Sequence, residues 1–311
     1  MKRMILTAYG NEENKDKGIV IIDFLENQYC KTVIPIDGKA NCCLTFQDKL
    51  YVPVKKEKNY IYEYQFIDNN YQKVDEYETC YFYSHGFIKD NLLFLASFES
   101  GVDAILDLKT KQEIDYCIHR NQIGGRSHYI ALTPDQKYVY AVDNAYQEIY
   151  LYTIQNNHFI IDRILNFGNE NIRLMPYSSY SQHGYLNTEI TNKVYSLLYK
   201  NNHFEVTSEI AIETQRQSFL GGNAISNDGK HLCISVRGDN QLNYYDIHLD
   251  GSLTLIDSVS CGEMPRDIQF IDNLIAVTCT NSHCIELYQI KNSHLIQINK
   301  IEVYNPITFS L

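Results

Sequence analysis

The feature that most constrains this chain is a repeat of about 44 residues. One unit places a polar residue before an apolar strand, then an Asp-rich turn, a second strand, an Asn/Gly turn and a third strand. It is written most clearly from Ser127-His128-Tyr129-Ile130-Ala131-Leu132 into Thr133-Pro134-Asp135. It recurs at Asn223-Ala224-Ile225-Ser226-Asn227-Asp228-Gly229 and at Pro265-Arg266-Asp267-Ile268-Gln269-Phe270. Aligning the turns puts an anchor at Asn41, His85, His128, Arg173, Gly221 and Arg266, at spacings of 44, 43, 45, 48 and 45 residues. A seventh falls at Pro306, 40 residues further on. Seven units at this period predict a single domain over residues 1–311, an all-β, seven-bladed β-propeller of four-stranded blades.

Local patterning agrees. Apolar residues alternate or run in fours and fives, as in Tyr138-Val139-Tyr140-Ala141-Val142, Glu148-Ile149-Tyr150-Leu151-Tyr152 and Leu274-Ile275-Ala276-Val277-Thr278. Each run is bounded by Asp, Asn, Gly or Lys, so each reads as a strand. The 26 tyrosines fit this picture, since a ring with a polar tip suits a half-buried pleated surface. There is no Trp, which argues against the Trp-Asp class of propeller repeats. The segment Asn305-Pro306-Ile307-Thr308-Phe309-Ser310-Leu311 reads as a lone strand, and Met4 to Tyr9 and Gly18 to Phe24 as the first two. The C-terminal strand is expected to join the N-terminal blade and close the ring, removing two sheet edges.

Charge narrows the partners. The net charge is −11, with 27 Lys and Arg against 38 Asp and Glu and no basic run, which leaves no footprint for nucleic acid or an anionic membrane. Met1-Lys2-Arg3 is followed by too short an apolar stretch for a signal peptide, and no segment reaches the length of a membrane span. The expectation is a cytoplasmic protein. The nine cysteines lack CxxC spacing and read as buried reduced thiols, with no metal site and no cofactor. The sequence carries no signal of oligomeric state.

In a propeller the entries to the inner strands converge on a channel mouth. A second column of residues follows the anchors by 14 to 16 positions and comprises Tyr9, Lys55, Glu99, Asn144, Glu189, Arg237 and Asn281. Together the columns gather His85, His128, Arg173, Arg237, Arg266, Glu99 and Glu189 on one rim. Arginine forks match phosphate and carboxylate bidentately, so the expected ligand is a small anionic metabolite. Gly124-Gly125 and Gly221-Gly222 lack the GxGxxG spacing of a dinucleotide site and read as strand-entry turns. Neither a GxSxG elbow nor an HExxH motif occurs.

At these residues the sequence resembles the lactonase family of seven-bladed propellers, which includes bacterial 6-phosphogluconolactonase and the fungal 3-carboxy-cis,cis-muconate lactonizing enzyme. The resemblance runs from Thr7-Ala8-Tyr9 and Lys17-Gly18-Ile19 to Asn305-Pro306-Ile307. Ser127-His128 with Thr133-Pro134-Asp135 is similar to the family's His-x-x-x-x-Ser-Pro-Asp strand, and Val236-Arg237-Gly238-Asp239 to its Asn-Arg-Gly turn. Asp250-Gly251-Ser252-Leu253 and Met264-Pro265-Arg266-Asp267 continue the pattern. The family's catalytic set is a His, two Arg and a Glu; the resemblance gives these roles to His128, Arg173, Glu189 and either Arg237 or Arg266. His85, Asn144 and Asn281, with Arg266, are then expected to bind substrate. Leu174 stands where the family usually has His, Gly221-Gly222 where it often has an acid, and Phe98-Glu99-Ser100 where it has Asn-Tyr-Gly.

The implied reaction is hydrolysis of a phosphorylated sugar lactone, most simply 6-phosphogluconolactone, by general acid–base chemistry. A carboxymuconate-lactonizing cycloisomerase and a non-catalytic propeller that binds a small anion or a protein remain as alternatives.

Overall fold

Short Asn- and Asp-rich turns set the hairpins. In the computed structural model, which describes residues 2–25, 28–122 and 124–311, the pairs Asp68-Asn69, Asp90-Asn91, Asn156-Asn157, Asn201-Asn202 and Asn292-Ser293 have positive φ at both positions. A type I′ turn needs that conformation, and Asn and Asp tolerate it better than other residues with a Cβ. The strands so connected form seven antiparallel sheets among the described residues.

The chain divides into two compact units. The first comprises residues 1–132, 138–165 and 306–311. Its sheet 1 joins Lys2–Ala8, Gly18–Phe24 and Tyr29–Pro35 to the C-terminal strand Pro306–Phe309. Sheet 2 contains Lys49–Lys55, Asn59–Ile67 and Asn70–Thr79, and its first position is split between Lys39–Ala40 and Leu44–Phe46. Sheet 3 is His85–Lys89, Leu92–Ser97, Val102–Asp107 and Gln112–Ile118; sheet 4 is Ser127–Leu132, Val139–Asp143, Glu148–Gln155 and His158–Asn166. The second unit, residues 133–137 and 166–305, holds the other three. Sheet 5 is Tyr177–Ser178, His183–Asn187, Lys193–Lys200 and His203–Ala211, and sheet 6 is Leu220–Ile225, His231–Val236, Gln241–Ile247 and Leu253–Ser260. Sheet 7 is Pro265–Ile271, Leu274–Cys279, Cys284–Lys291 and His294–Glu302. The only helical element among the described residues is the 3₁₀ turn His119–Asn121, and no helix is long and apolar enough to cross a membrane.

The anchors fall where the repeat puts them. His85 and Pro306 open first strands, while His128, Gly221 and Arg266 are second residues of theirs. Arg173 lies just ahead of Tyr177–Ser178, and Asn41 in the gap of the split strand of sheet 2. Register shifts recur between third and fourth strands at Glu63/Tyr64, Ile105/Leu106, Ser196/Leu197, Tyr244/Tyr245 and Leu287/Tyr288. Each such bulge adds local twist.

Within each unit the core lies between neighbouring sheets. Ile5 and Ile21 of sheet 1 pack with Val52, Tyr62 and Tyr64 of sheet 2; Phe94 and Ile105 of sheet 3 with Ala141, Tyr150 and Tyr152 of sheet 4. Tyr185 and Val194 meet Ile234 and Tyr245, and Cys233 and Tyr244 meet Val277 and Tyr288. Burying such a side chain stabilises the fold by roughly 1.5–3 kcal/mol. These tyrosines therefore fill the space between sheets.

Both ends of the chain meet in sheet 1. Leu6 pairs with Phe309 and Thr7 with Thr308, while the Ser310 N–H donates to the Ile5 carbonyl at 2.7 Å and the Leu311 N–H to the Cys43 carbonyl at 3.0 Å. Ile307 and Phe309 are buried. Deleting residues 305–311 exposes an apolar sheet edge and removes that packing, so the truncated chain is expected to lose the cooperative melt of the full chain. Circular dichroism on heating measures this; an unchanged midpoint contradicts it.

Candidate active site

The second unit brings Arg173, Glu189 and Arg237 together. An isolated bridge between Ile172 and Thr188 fixes the approach, with the Arg173 N–H donating to the Asn187 carbonyl at 2.9 Å and the Glu189 N–H to the Asn171 carbonyl at 2.8 Å. Glu189 Oε1 accepts from Arg173 Nη1 at 3.2 Å and also from Arg237 Nη2. Arg237 Nη2 donates further to the Leu220 carbonyl at 3.0 Å, and its guanidinium lies 6.0 Å from the Phe219 ring centre. Arg173 and Arg237 are only 7% and 9% exposed, yet the Nε atom of each has no hydrogen-bond partner among the described residues.

The charge around Arg173 is out of balance. Burial pulls its guanidinium down to about 9; Arg237 pushes the same way, Glu189 opposes, Arg266 lowers it further and Asp267 opposes again. Arg173 and Arg237 share one carboxylate oxygen, and a buried cation without its own anion is costly. At neutral pH Arg173 remains protonated. The arrangement favours an incoming anion, which returns the compensation that burial removed.

The glycines at the anchor of sheet 6 make this possible. A Cβ on Gly221 would lie 2.6 Å from Ser235 Oγ, 2.7 Å from the Pro265 carbonyl and 3.0 Å from Arg237 Cγ. Gly221 thus leaves the room that the Arg237 stem occupies. Ser235 Oγ in turn accepts from the Gly222 N–H and donates to the Pro265 carbonyl, both at 2.8 Å, tying sheet 6 to sheet 7. Leu174, lacking a polar side chain, uses its backbone N–H to donate to Asn187 Oδ1 at 3.0 Å. Arg266 is part-buried, and Asn281 is exposed, with its N–H donating to the Glu263 carbonyl.

The remaining expected site residues belong to the first unit. His128 stands edge-on to Phe98, ring centres 5.1 Å apart. Asn144 is buried, its N–H donating to the Arg126 carbonyl at 2.9 Å. His85 Nδ1 accepts the Ile130 N–H at 3.3 Å and its ring packs 4.4 Å from that of Tyr129. Burial lowers its pKa to about 3, so His85 is neutral at pH 7 and offers an anion no charge. Glu99 is engaged by Lys55 and, at 3.2 Å, by Lys39, the first of which holds its carboxyl below the usual range. Sequence reading missed Lys39, which lies two positions before an anchor, and Asp267, which directly follows one.

Residues 12–310 match the family described as "Lactonase, 7-bladed beta-propeller". The chain is 26% identical over 163 residues to the 6-phosphogluconolactonase of Bacillus subtilis, a match taking in 49% of this chain and 46% of that protein. It thus spans about half the length of the curated relatives it matches. A solved structure from Lactobacillus plantarum superposes with a TM-score of 0.89 over 99% of this chain and 98% of its own, at 20% identity. That of the periplasmic gluconolactonase of Pseudomonas aeruginosa does so with a TM-score of 0.81 over 99% and 98%, at 17% identity. At such identities the superpositions speak for the fold alone, while the family match covers nearly the whole chain. With sheets, anchors and arginines disposed as described, this chain belongs to the lactonase family of seven-bladed β-propellers.

Proposed function

We propose that this protein hydrolyses a lactone bearing a second, anionic group, 6-phosphogluconolactone being the simplest example. The observation that carries the reading is the pair Arg173 and Arg237, 7% and 9% exposed, sharing the single carboxylate oxygen Glu189 Oε1. Donors so placed suit an oxyanion or a phosphate, because charge-assisted hydrogen bonds in a poorly solvated place are the strong ones.

In this reading Glu189 accepts a proton from the attacking water. One arginine stabilises the negative charge that develops on the lactone carbonyl oxygen, and another holds the remote anionic group. Ring opening then needs the alkoxide to be protonated. For His128, in the first unit, a share in proton transfer rests on the family resemblance alone. A lactone is an activated ester, so positioned proton transfer worth about 10²- to 10⁴-fold, together with charge stabilisation, suffices.

The test is acid release from freshly prepared 6-phosphogluconolactone, followed against the spontaneous rate. Enzyme-dependent release is expected, with kcat/KM for the unphosphorylated gluconolactone lower by roughly tenfold to a hundredfold, the value of one charge-assisted contact. Release at the spontaneous rate with both substrates overturns the reading.

A further inference from the structure

Sheet 7 gathers three thiols and a carboxylate that the lactone chemistry leaves unused. Cys279 ends one strand and Cys284 begins the next, and the two are direct partners across the hairpin. Glu286 follows two positions later on the same strand, so its side chain shares a face with that of Cys284. One ligand atom from each of Cys279, Cys284 and Glu286 lies within 4.8 Å of the other two. Cys261, in the turn that leads into this sheet, lies near Cys279, as Cys279 does near Cys284. Cys279, Cys284 and Glu286 are buried, whereas Cys261 is part-exposed and gives the cluster a side open to solvent.

The carboxylate makes this more than apolar packing. Glu286 is 4% exposed, and the cation beside it, Lys300, stands 3.8 Å off with a side chain that is 56% exposed. Its Oε2 accepts from the Tyr288 hydroxyl at 2.7 Å and the Gly262 N–H at 3.1 Å, contacts that orient the group but supply no charge. A buried carboxylate among thiols, with so weak a countercharge, is expensive unless a cation joins it. Gly262 closes the turn over the cluster; a Cβ there would lie 3.1 Å from Cys279 Sγ.

We propose that sheet 7 binds one thiophilic divalent cation of the zinc class through Cys279, Cys284 and Glu286, with Cys261 as the outer fourth ligand. Sulfur donors select a soft or borderline ion, and four ligands from two strands and a turn suit a tetrahedral one. Each thiol that ligates exchanges its S–H bond for an S–metal bond and releases one proton to solvent, and nothing is oxidised or reduced. Tyr288 and Gly262 are the groups that hold the Glu286 carboxylate in orientation, as outer partners of metal ligands commonly do.

Cobalt(II) chloride added alone to the reduced full-length protein tests this. The expected result is one cobalt per chain, with thiolate-to-cobalt charge-transfer absorption and the intense visible bands of tetrahedral cobalt, both removed by equimolar zinc. Cys284→Ser should lower the thiolate-to-cobalt absorption, Cys284→Ser, Glu286→Gln and Cys261→Ser should each weaken uptake by roughly tenfold or more, and Cys30→Ser, an exposed cysteine of sheet 1, should leave it unchanged. The last three variants keep the test decisive if Cys284→Ser does not fold. Absence of stoichiometric uptake, uptake insensitive to Glu286→Gln and Cys261→Ser, or a Cys279–Cys284 disulfide formed in air by protein that takes up no cobalt when reduced, each overturns the proposal.

Discussion

His119→Gln is expected to destabilise the protein by about 3–5 kcal/mol, the cost of removing one partner from a buried ionic network. His119 sits in the 3₁₀ turn after sheet 3 and is fully buried. Its Nε2 lies 2.8 Å from Asp103 Oδ2 in sheet 3 and its Nδ1 2.6 Å from Asp143 Oδ2 in sheet 4, while the ring stacks on Tyr150 at 4.0 Å. Both aspartates are also fully buried and carry their own donors: Tyr152 and Ser127 hydroxyls on Asp103, and the N–H groups of Arg126, Ala145 and Tyr146 on Asp143. Glutamine keeps a polar side chain but takes away the charge between two carboxylates. Gly125 adds to the fit, because a Cβ there would lie 2.7 Å from Asp143 Oδ2. A denaturant-unfolding midpoint within experimental scatter of the wild type contradicts the expectation.

The same network gives stability a pH dependence of known sign. Burial pushes the His119 pKa down, but Asp103 and then Asp143 push harder the other way, to about 9. An unfolded histidine titrates near 6.5, so the folded state binds the extra proton. The contribution is therefore complete below about pH 6.5 and is lost as pH rises through about 9, amounting to about 3 kcal/mol across the window. Unfolding midpoints at pH 6, 7.5 and 9 should fall in that order, and His119→Gln should remove most of the slope.

The repeat was legible because propeller strands are short, evenly spaced and punctuated by Asn and Asp turns that leave a one-dimensional signature. Arg173, Glu189 and Arg237 were legible for the same reason, since the period predicts their places, Arg173 four positions before a first strand and Glu189 and Arg237 two and one after a second strand. His119 was not, as it lies in a connection between sheets and its partners stand 16 residues before and 24 after it, with no motif linking them. His85 was placed correctly on the first strand of its sheet, but only the fold reveals that its ring nitrogen serves the backbone of Ile130. The cysteines read from sequence only as buried reduced thiols because Cys261, Cys279, Cys284 and Glu286 match no contiguous metal motif; the hairpin register and the preceding turn bring them together. Spacing within a repeat is thus readable from sequence, whereas pairings across strands depend on register and side-chain reach.

Glu189→Gln is expected to lower kcat for the phosphorylated lactone by about 10²- to 10⁴-fold, the range of a positioned base, or about 3–5 kcal/mol of barrier. The carboxylate lies between two guanidiniums, whose donors fix its orientation, as a proton acceptor requires. Glutamine retains the shape and a carbonyl acceptor for Arg173 and Arg237 but cannot take the proton. It also releases two buried guanidiniums from their shared anion, so KM for the anionic substrate should stay level or fall while kcat collapses, and the variant should melt lower without ligand. Inorganic phosphate should then raise its melting temperature more than it raises that of the wild type, because an added anion replaces the missing charge. A rise in KM with kcat preserved would mean that Glu189 positions the arginines without taking the proton, and an unchanged kcat would remove it from the chemistry altogether.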